Sequence, residues 1–342
     1  MRLTDIAQAA HVDISTTFRL LRTLEGRGYV LRDKRTKRFR ACLGYRTYRI
    51  GYAQFSSEYP FLQKVRQGLL EAAEKSRVEL LVTDNRGTPE GAVKSAAWLI
   101  AQKVDFVIQY EFHYRVGPLL AAMFSKAGIP VLAIDIPQPG AIYFGVDNFA
   151  VGFKGGEVLA RFAKENWSGR LGRILLLEIP ASGPVPHLRV LGTLEGIQSV
   201  RGKLDEKCVL HRNAKATEVG NYLATRRVLT AMGSREHLLI AAANDTCARG
   251  ALRAVRETRR EQFTAILAQG WGPDPALEDE IRSPRSPLIG AVAYLPEKYG
   301  SQILPIVLRC LNGQPVPPAV YAEHKLITRQ DIAPHTLKAR HD

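Results

Sequence analysis

A succession of short, nearly unbroken apolar runs, each followed by an amphipathic stretch, restricts this chain's fold more than any other feature. The runs are YRIGYAQ, VELLVTD, VDFVIQY, PVLAIDI, RILLLEI, LLIAAAND, FTAILAQG and LIGAVAYL, all between residues 48 and 295. A strand with one wet face alternates apolar and polar residues. These runs do not, so they suit strands buried on both faces of a parallel sheet. Between most of them lie segments of helical period, such as FLQKVRQGLLEAAEKS, PEGAVKSAAWLIAQK and CARGALRAVRE. Strand–helix alternation of this kind predicts an α/β architecture of doubly wound parallel sheets, and the chain is long enough for two such lobes. Open parallel sheets hold ligands just past the C-terminal ends of their strands. The polar and aromatic residues at those places are Tyr59, Phe61, Glu111, Asp135, Asn244, Trp271 and Tyr294.

The first fifty residues are of a different character. Residues 1–49 hold twelve Lys and Arg against four Asp and Glu, over half of the chain's net charge of +15. A basic end on a near-ordinary body points to a polyanionic partner, nucleic acid above all. LTDIAQAA, with Thr4 placed as a cap, predicts one short helix. After the break HVD, Asp13 or Ser15 can cap a second helix, with Phe18, Leu21 and Leu24 on its inner stripe, widened by Ile14 and Leu20. Ser15, Thr16, Thr17, Arg19 and Arg22 are its candidates for reading bases. Gly26 and Gly28 end it, and YVLRD, the turn KRTK and RFRACLG predict a hairpin. Its tip carries Lys34, Arg35, Lys37 and Arg38, suited to phosphates beside the groove. Helix, turn, helix and basic wing describe a winged helix-turn-helix over residues 1–44.

Two resemblances meet here. RLTDIAQAAHVDISTTFRLL resembles the opening of lactose/galactose-repressor (LacI/GalR) proteins, and TTFRLLRTLEGRGYVLRDKRTKRFRACLG resembles the winged helix of IclR-type regulators. His11 stands where glycine is usual in the turn, no helix precedes LTDIAQ, and no hinge helix of the lactose-repressor kind is evident. The order of the later segments resembles type I periplasmic sugar-binding proteins, the ribose/galactose group. It rests on YPFLQKVRQGLLEAA, GIPVLAID, GVDNFAVGFKGGEVLA, AANDTCARGALRAV and GAVAYLPEKYGSQIL.

That resemblance implies a small winged helix-turn-helix joined by a very short connector to a two-lobed effector domain over 48–330. Lobe 1 is expected at about 48–148 and 270–294, lobe 2 at about 149–268 and 296–330. It further implies that Tyr59 and Phe61 flank Pro60 where a polar residue and a sugar-stacking aromatic belong, and that Asp135 accepts from ring hydroxyls, with Ile136 replacing a frequent arginine. Asn244 matches a hinge-side amide, with Asp245 as helix cap. Tyr294 stands where glutamine is frequent, GWGPDP offers Trp271 for stacking and Asp274 as a poor replacement for a missing aspartate, and Arg189 forks onto hydroxyls. The partners implied are double-stranded operator DNA, a sugar or polyol effector, and a second copy of the chain. A solute receptor of a sugar transport system, without DNA, is the alternative.

Other classes find little support. GFKGGE lacks the G-K-[ST] ending of a P-loop, no G-x-G-x-x-G follows a strand, and no G-x-S-x-G elbow occurs. Four dispersed cysteines form neither zinc-ligand spacing nor a disulfide framework, and the eight histidines lack ligand spacing. No enzyme activity, cofactor or metal is expected. MRLTDIAQAAHVD has no signal-peptide core and no run of 18 apolar residues occurs, so the expectation is a cytoplasmic chain without membrane contact.

Overall fold

All eight apolar runs form strands, divided between two six-stranded sheets. The computed structural model describes residues 1–26, 29–33, 36–41, 47–213, 217–272 and 274–332.

The head comprises α1 (Leu3–Ala10), α2 (Ile14–Gly26), and a hairpin of β1 (Val30–Arg32) with β2 (Phe39–Ala41). Arg2, not Thr4, takes the N-cap of α1, where its N–H donates to the Asp5 carboxylate at 3.0 Å. His11 holds the turn in the left-handed region at φ 54°, which histidine tolerates better than most residues. Asp13, rather than Ser15, caps α2 by accepting from the Thr16 N–H at 2.8 Å. Leu21, Val30 and Phe39 make a small core. The predicted stripe is narrower than expected: Phe18 is half-buried, while Ile14, Leu20 and Leu24 are exposed. Thr17 takes the inner place instead, buried with its hydroxyl donating to the Val12 carbonyl. At the hairpin tip the Asp33 carboxylate accepts from the Thr36 N–H at 2.8 Å.

The first lobe begins with β3 (Arg49–Gln54), α3 (Pro60–Ser76), β4 (Glu79–Asp84), α4 (Pro89–Ala101), β5 (Phe106–Gln109), α5 (Gly117–Lys126), β6 (Val131–Ile134) and β7 (Ile142–Gly145). The chain then crosses to build the second lobe from α6 (Asn148–Asn166), β8 (Arg173–Glu178), α7 (Pro184–Arg201), β9 (Val209–Asn213), α8 (Glu218–Ala231), β10 (Leu238–Ala242), α9 (Asp245–Glu257), β11 (Thr264–Trp271), α10 (Pro275–Arg282) and β12 (Leu288–Ala293). It returns for α11 (Tyr299–Leu311) and β13 (Ala319–Tyr321), and crosses again to end on β14 (Lys325–Thr328). The first sheet runs β13-β7-β6-β5-β3-β4 and is parallel throughout. The second runs β14-β12-β11-β10-β8-β9, with β14 alone antiparallel. Each sheet is covered by helices on both faces, as its uninterrupted apolar strands require.

The expected division of the lobes needs correcting. Residues 270–294 do not belong to the first lobe: β11 pairs with β10, and β12 with β11, inside the second sheet. Conversely α11 packs on α3 and β13 extends the first sheet. A doubly buried strand carries no residue that says which sheet it joins, so periodicity alone could not place these.

One contact stands out in the packing. Where α6 crosses α7, Gly152 and Gly156 face Gly192 and Gly196. A Cβ on Gly152 would lie 2.0 Å from the Arg189 carbonyl oxygen, and one on Gly156 2.1 Å from that of Thr193. From the other side, Gly192 and Gly196 would strike the carbonyls of Phe149 and Phe153 at 2.2 and 2.0 Å. The two backbones touch directly over a full turn on each helix.

Candidate functional site

A cavity of about 450 Å³ opens between the two sheets at the C-terminal ends of their strands. That is the size of a small-ligand site and the place where parallel sheets put one. The first lobe supplies Phe55 after β3, Tyr59 and Phe61 at the start of α3, Tyr110, Phe112 and His113 after β5, and Asp135 after β6. The second supplies Glu178 at the end of β8, His187 and Arg189 from α7, Asn244 and Asp245 after β10, and Gln269 from β11, with Tyr294 from the crossing after β12.

Of the expected ligand residues, Tyr59, Phe61, Asp135, Arg189, Asn244 and Tyr294 are brought together here. Their roles differ in part from expectation. Arg189 is engaged by the protein itself: Nε and Nη2 donate to Asn148 Oδ1 at 3.2 and 2.6 Å, and Nη1 to the carbonyls of Ala243 and Gln269 at 2.5 and 3.1 Å. It joins α7 to the first residue of α6 and to the ends of β10 and β11, with its guanidinium 5.4 Å from the Tyr294 ring centroid. Asn244, not Asp245, is the cap of α9, its Oδ1 accepting from the Cys247 N–H at 2.9 Å. Asp274 caps α10 and pairs with Arg249, away from the cavity lining.

Glu111 is also corrected. It is buried behind the lining, where its carboxylate accepts from Asn85 Nδ2 at 2.8 Å and the His113 N–H at 2.9 Å, and meets His113 Nδ1 at 2.8 Å. Its part is to orient the His113 ring, which does line the cavity. Glu178 does the same in the second lobe, meeting Nδ1 of both His187 and His211. The side chain of Trp271 lies outside the described residues.

Asp135 is the residue with most chemistry left over. It sits at φ 59°, and its Oδ2 accepts from the Tyr110 hydroxyl, while Oδ1 is buried with no partner. Burial pushes its carboxyl up to about 6, against the opposing effects of the Tyr110 hydroxyl and Arg189. The Tyr294 hydroxyl is buried and unpartnered as well, and burial raises it above the usual phenol range.

Beside the cavity the lobes meet at Tyr114 with Gly183 and at Phe61 with Gly272. Tyr114 of the first lobe lies over Gly183, where an added Cβ would come within 2.6 Å of its Cγ. Phe61 lies against Gly272, 3.0 Å from an added Cβ. Gly183 adopts φ 87° and ψ −171°, a conformation essentially confined to glycine. Gly183→Ala is therefore expected to hold the lobes apart, read as a larger radius of gyration by small-angle X-ray scattering. An unchanged radius would mean that this contact does not set the closure.

Sequence reasoning missed Phe55, Phe112, His113 and Glu178. Each stands at or just past the end of a correctly placed strand, so the same strand-end rule reaches them. His187 was out of reach because α7 itself was not recognised.

The head presents a second candidate face. Ser15, Arg19 and Arg22 on α2 are exposed, Thr16 is half-buried, and Lys37 and Arg38 are exposed at the wing. Thr17 is buried and cannot meet a base, a correction that follows from its place in the head core. Lys34 and Arg35 lie outside the described residues.

A family model described as a periplasmic binding protein domain matches residues 50–315. The chain belongs to this family. A second model, the IclR helix-turn-helix domain, matches residues 1–34. The family is one of binding proteins rather than enzymes. Similar solved structures include a periplasmic solute-binding protein from Actinobacillus succinogenes with bound D-allose, 20% identical over 83% of this chain and 98% of that one, with a TM-score of 0.69. A solute-binding protein from Mycobacterium smegmatis with bound glycerol is 18% identical over 84% and 96%, with a TM-score of 0.73. One from Bacillus halodurans with bound myo-inositol is 18% identical over the same shares, with a TM-score of 0.71. At such identities the likeness concerns the fold, here the two-lobed periplasmic binding protein fold. No curated protein sequence matches the chain. Among the described residues no helix is long and apolar enough to cross a membrane.

Proposed function

We propose that this chain is a ligand-responsive DNA-binding transcription regulator of the LacI/GalR kind with an IclR-like head, acting in the cytoplasm as a homodimer on genes of carbohydrate uptake or catabolism. The observation that carries the reading is one chain holding both a helix-turn-helix head and a binding-protein body with a cleft. A sugar or polyol between the lobes is supported by what the similar solute-binding proteins hold. The ligand stabilises the closed arrangement, and closure alters the spacing of two heads on DNA half-sites. Ligand and DNA must then change each other's affinity by the same factor.

The test is DNA binding by fluorescence anisotropy over a range of salt. Lys37→Ala is expected to weaken all duplexes alike and to lower the salt slope by about 1. Arg19→Ala is expected to cost about 1–3 kcal/mol on preferred duplexes and little on random ones. Unchanged binding in both variants would remove α2 and the wing from the interface. A solute receptor without DNA is the reading left if the wild-type chain binds no duplex at low salt.

A saturating effector is separately expected to raise unfolding free energy, by about 2.7 kcal/mol at a hundred times its Kd. Thermal unfolding against pentoses, hexoses, polyols and sugar acids reads this directly. A panel without a single stabiliser would take sugars out of the proposal.

A further inference from the structure

We propose that the cleft takes a glycoside with an aromatic aglycone, whose planar ring lies against the wall built on Phe55 and Phe112. This rests on the reading of the cleft as a sugar site and adds the chemical class.

The polar groups suited to reading sugar hydroxyls are largely committed within the protein. Arg189 donates to Asn148, Ala243 and Gln269. Gln269 Nε2 donates to the Thr193 hydroxyl at 2.7 Å, and Asn244 Oδ1 caps α9. Glu178 faces two imidazoles, and Asp135 Oδ1 and the Tyr294 hydroxyl are buried inside the wall. The rings of His113 and His187 do line the cavity with exposed surface. Each has Nδ1 at a carboxylate, which leaves Nε2 to meet a ligand hydroxyl.

Apolar surface is far more plentiful. Between ring centroids, Phe55 lies 4.6 Å from Phe112, 5.4 Å from His113 and 6.0 Å from Tyr59, and Tyr110 meets Phe112 edge to face at 5.3 Å. All five line the cavity. Phe55 and Tyr110 are buried and back the other three, which are only half-buried. The second lobe answers with carbon. The contact of Tyr114 with Gly183 brings the segment after β5 onto the segment between β8 and α7. There and at the start of α7 the lining residues are Ile179, Pro180, Ala181 and Pro186, and all four keep exposed surface.

A bare pyranose fits such walls poorly. Its apolar patches are confined to its two faces, and its rim of hydroxyls needs donors and acceptors that carbon cannot supply. A phenyl ring has no such rim, and aromatic pairs at centroid distances of about 4.5–7 Å are favourable beyond the area they bury. Phe61, beside Tyr294 and Gly272 at the other contact between the lobes, is left for a face of the sugar. The cavity of about 450 Å³ lies in the range that holds drug-sized ligands, a class that includes a sugar joined to a phenyl ring.

The test is isothermal titration of the full chain with phenyl, methyl and unsubstituted forms of glucose, galactose and xylose, both anomers of each glycoside. For the sugar that binds, the phenyl glycoside is expected to bind about ten- to a hundredfold more tightly than the methyl glycoside. Phe112→Ala should remove most of that advantage and leave the methyl glycoside's affinity as it was. Phe112→Leu, which keeps an apolar side chain in the wall, should retain part of it. A phenyl glycoside that binds no better than its methyl counterpart overturns the proposal while the sugar-type cleft stands, and that comparison needs only the wild-type chain. Absence of binding by every compound overturns both.

Discussion

Replacing Asp135 by asparagine is expected to make the unliganded protein more stable at neutral pH, by on the order of 3 kcal/mol. Burial holds this carboxyl near 6 in the folded chain, against an ordinary value of 3.8. The sign follows from that displacement. Below pH 3.8 the carboxyl is protonated in both states and the substitution is silent. Between 3.8 and 6 the unfolded chain ionises first, so the wild-type protein loses stability as pH rises. Above 6 the loss is complete. Asparagine removes the charge, keeps an acceptor for the Tyr110 hydroxyl, and tolerates the left-handed backbone at this position. Urea unfolding at pH 7.5 and at pH 3.5 measures the difference. A gain confined to the higher pH supports the account, whereas a loss at pH 7.5 would mean that the carboxylate is compensated by something other than its visible neighbours. A group that costs stability at the wall of a cavity is better suited to binding than to folding.

The second large effect concerns the crossing of α6 and α7. Gly156→Leu is expected to cost about 3 kcal/mol or more. The atom it would strike is the Thr193 carbonyl oxygen, part of a helix backbone that cannot rotate aside. Gly233→Ala is the matched control, since nothing lies closer than 3.9 Å to its added Cβ. It should change stability by no more than about 0.5 kcal/mol. Comparable losses in the two variants by urea unfolding would show that glycine is not required by the close approach. The same crossing sets the height of Arg189 on α7 and of Asn148 at the start of α6, so a separation of the helices reaches the cavity wall as well.

These two sites illustrate what was legible in the chain. Eight strands could be read because each is a nearly unbroken apolar run, β4 at the edge of the first sheet included. Strand β7 and the edge strands β9, β13 and β14 could not: they are short, and β9 ends in the exposed polar residues His211, Arg212 and Asn213. Helix α7 was invisible for a different reason. Its buried stripe is Gly192, Thr193, Gly196 and Ile197, and three of the four are not large hydrophobes. A search for apolar periodicity finds nothing where backbone packs on backbone. In the cleft, residues just past strand ends were recognisable as a class. Whether a given one lines the cavity, like His113, or lies behind it, like Glu111, depends on a side-chain direction that no spacing encodes.

The way the chain crosses between lobes has a consequence for its birth on the ribosome. The first lobe is begun at β3 but is not closed until α11 lies on α3 and β13 completes the sheet edge. The apolar face of α3, with Leu62, Val65 and Leu69, therefore waits for Tyr299, Ile303 and Leu304. At ordinary synthesis rates the intervening second lobe occupies roughly 10–30 s. During that time the nascent protein carries a finished head, an unfinished first lobe and a second lobe still in assembly. The half-built lobe is the segment that chaperones would be expected to shield.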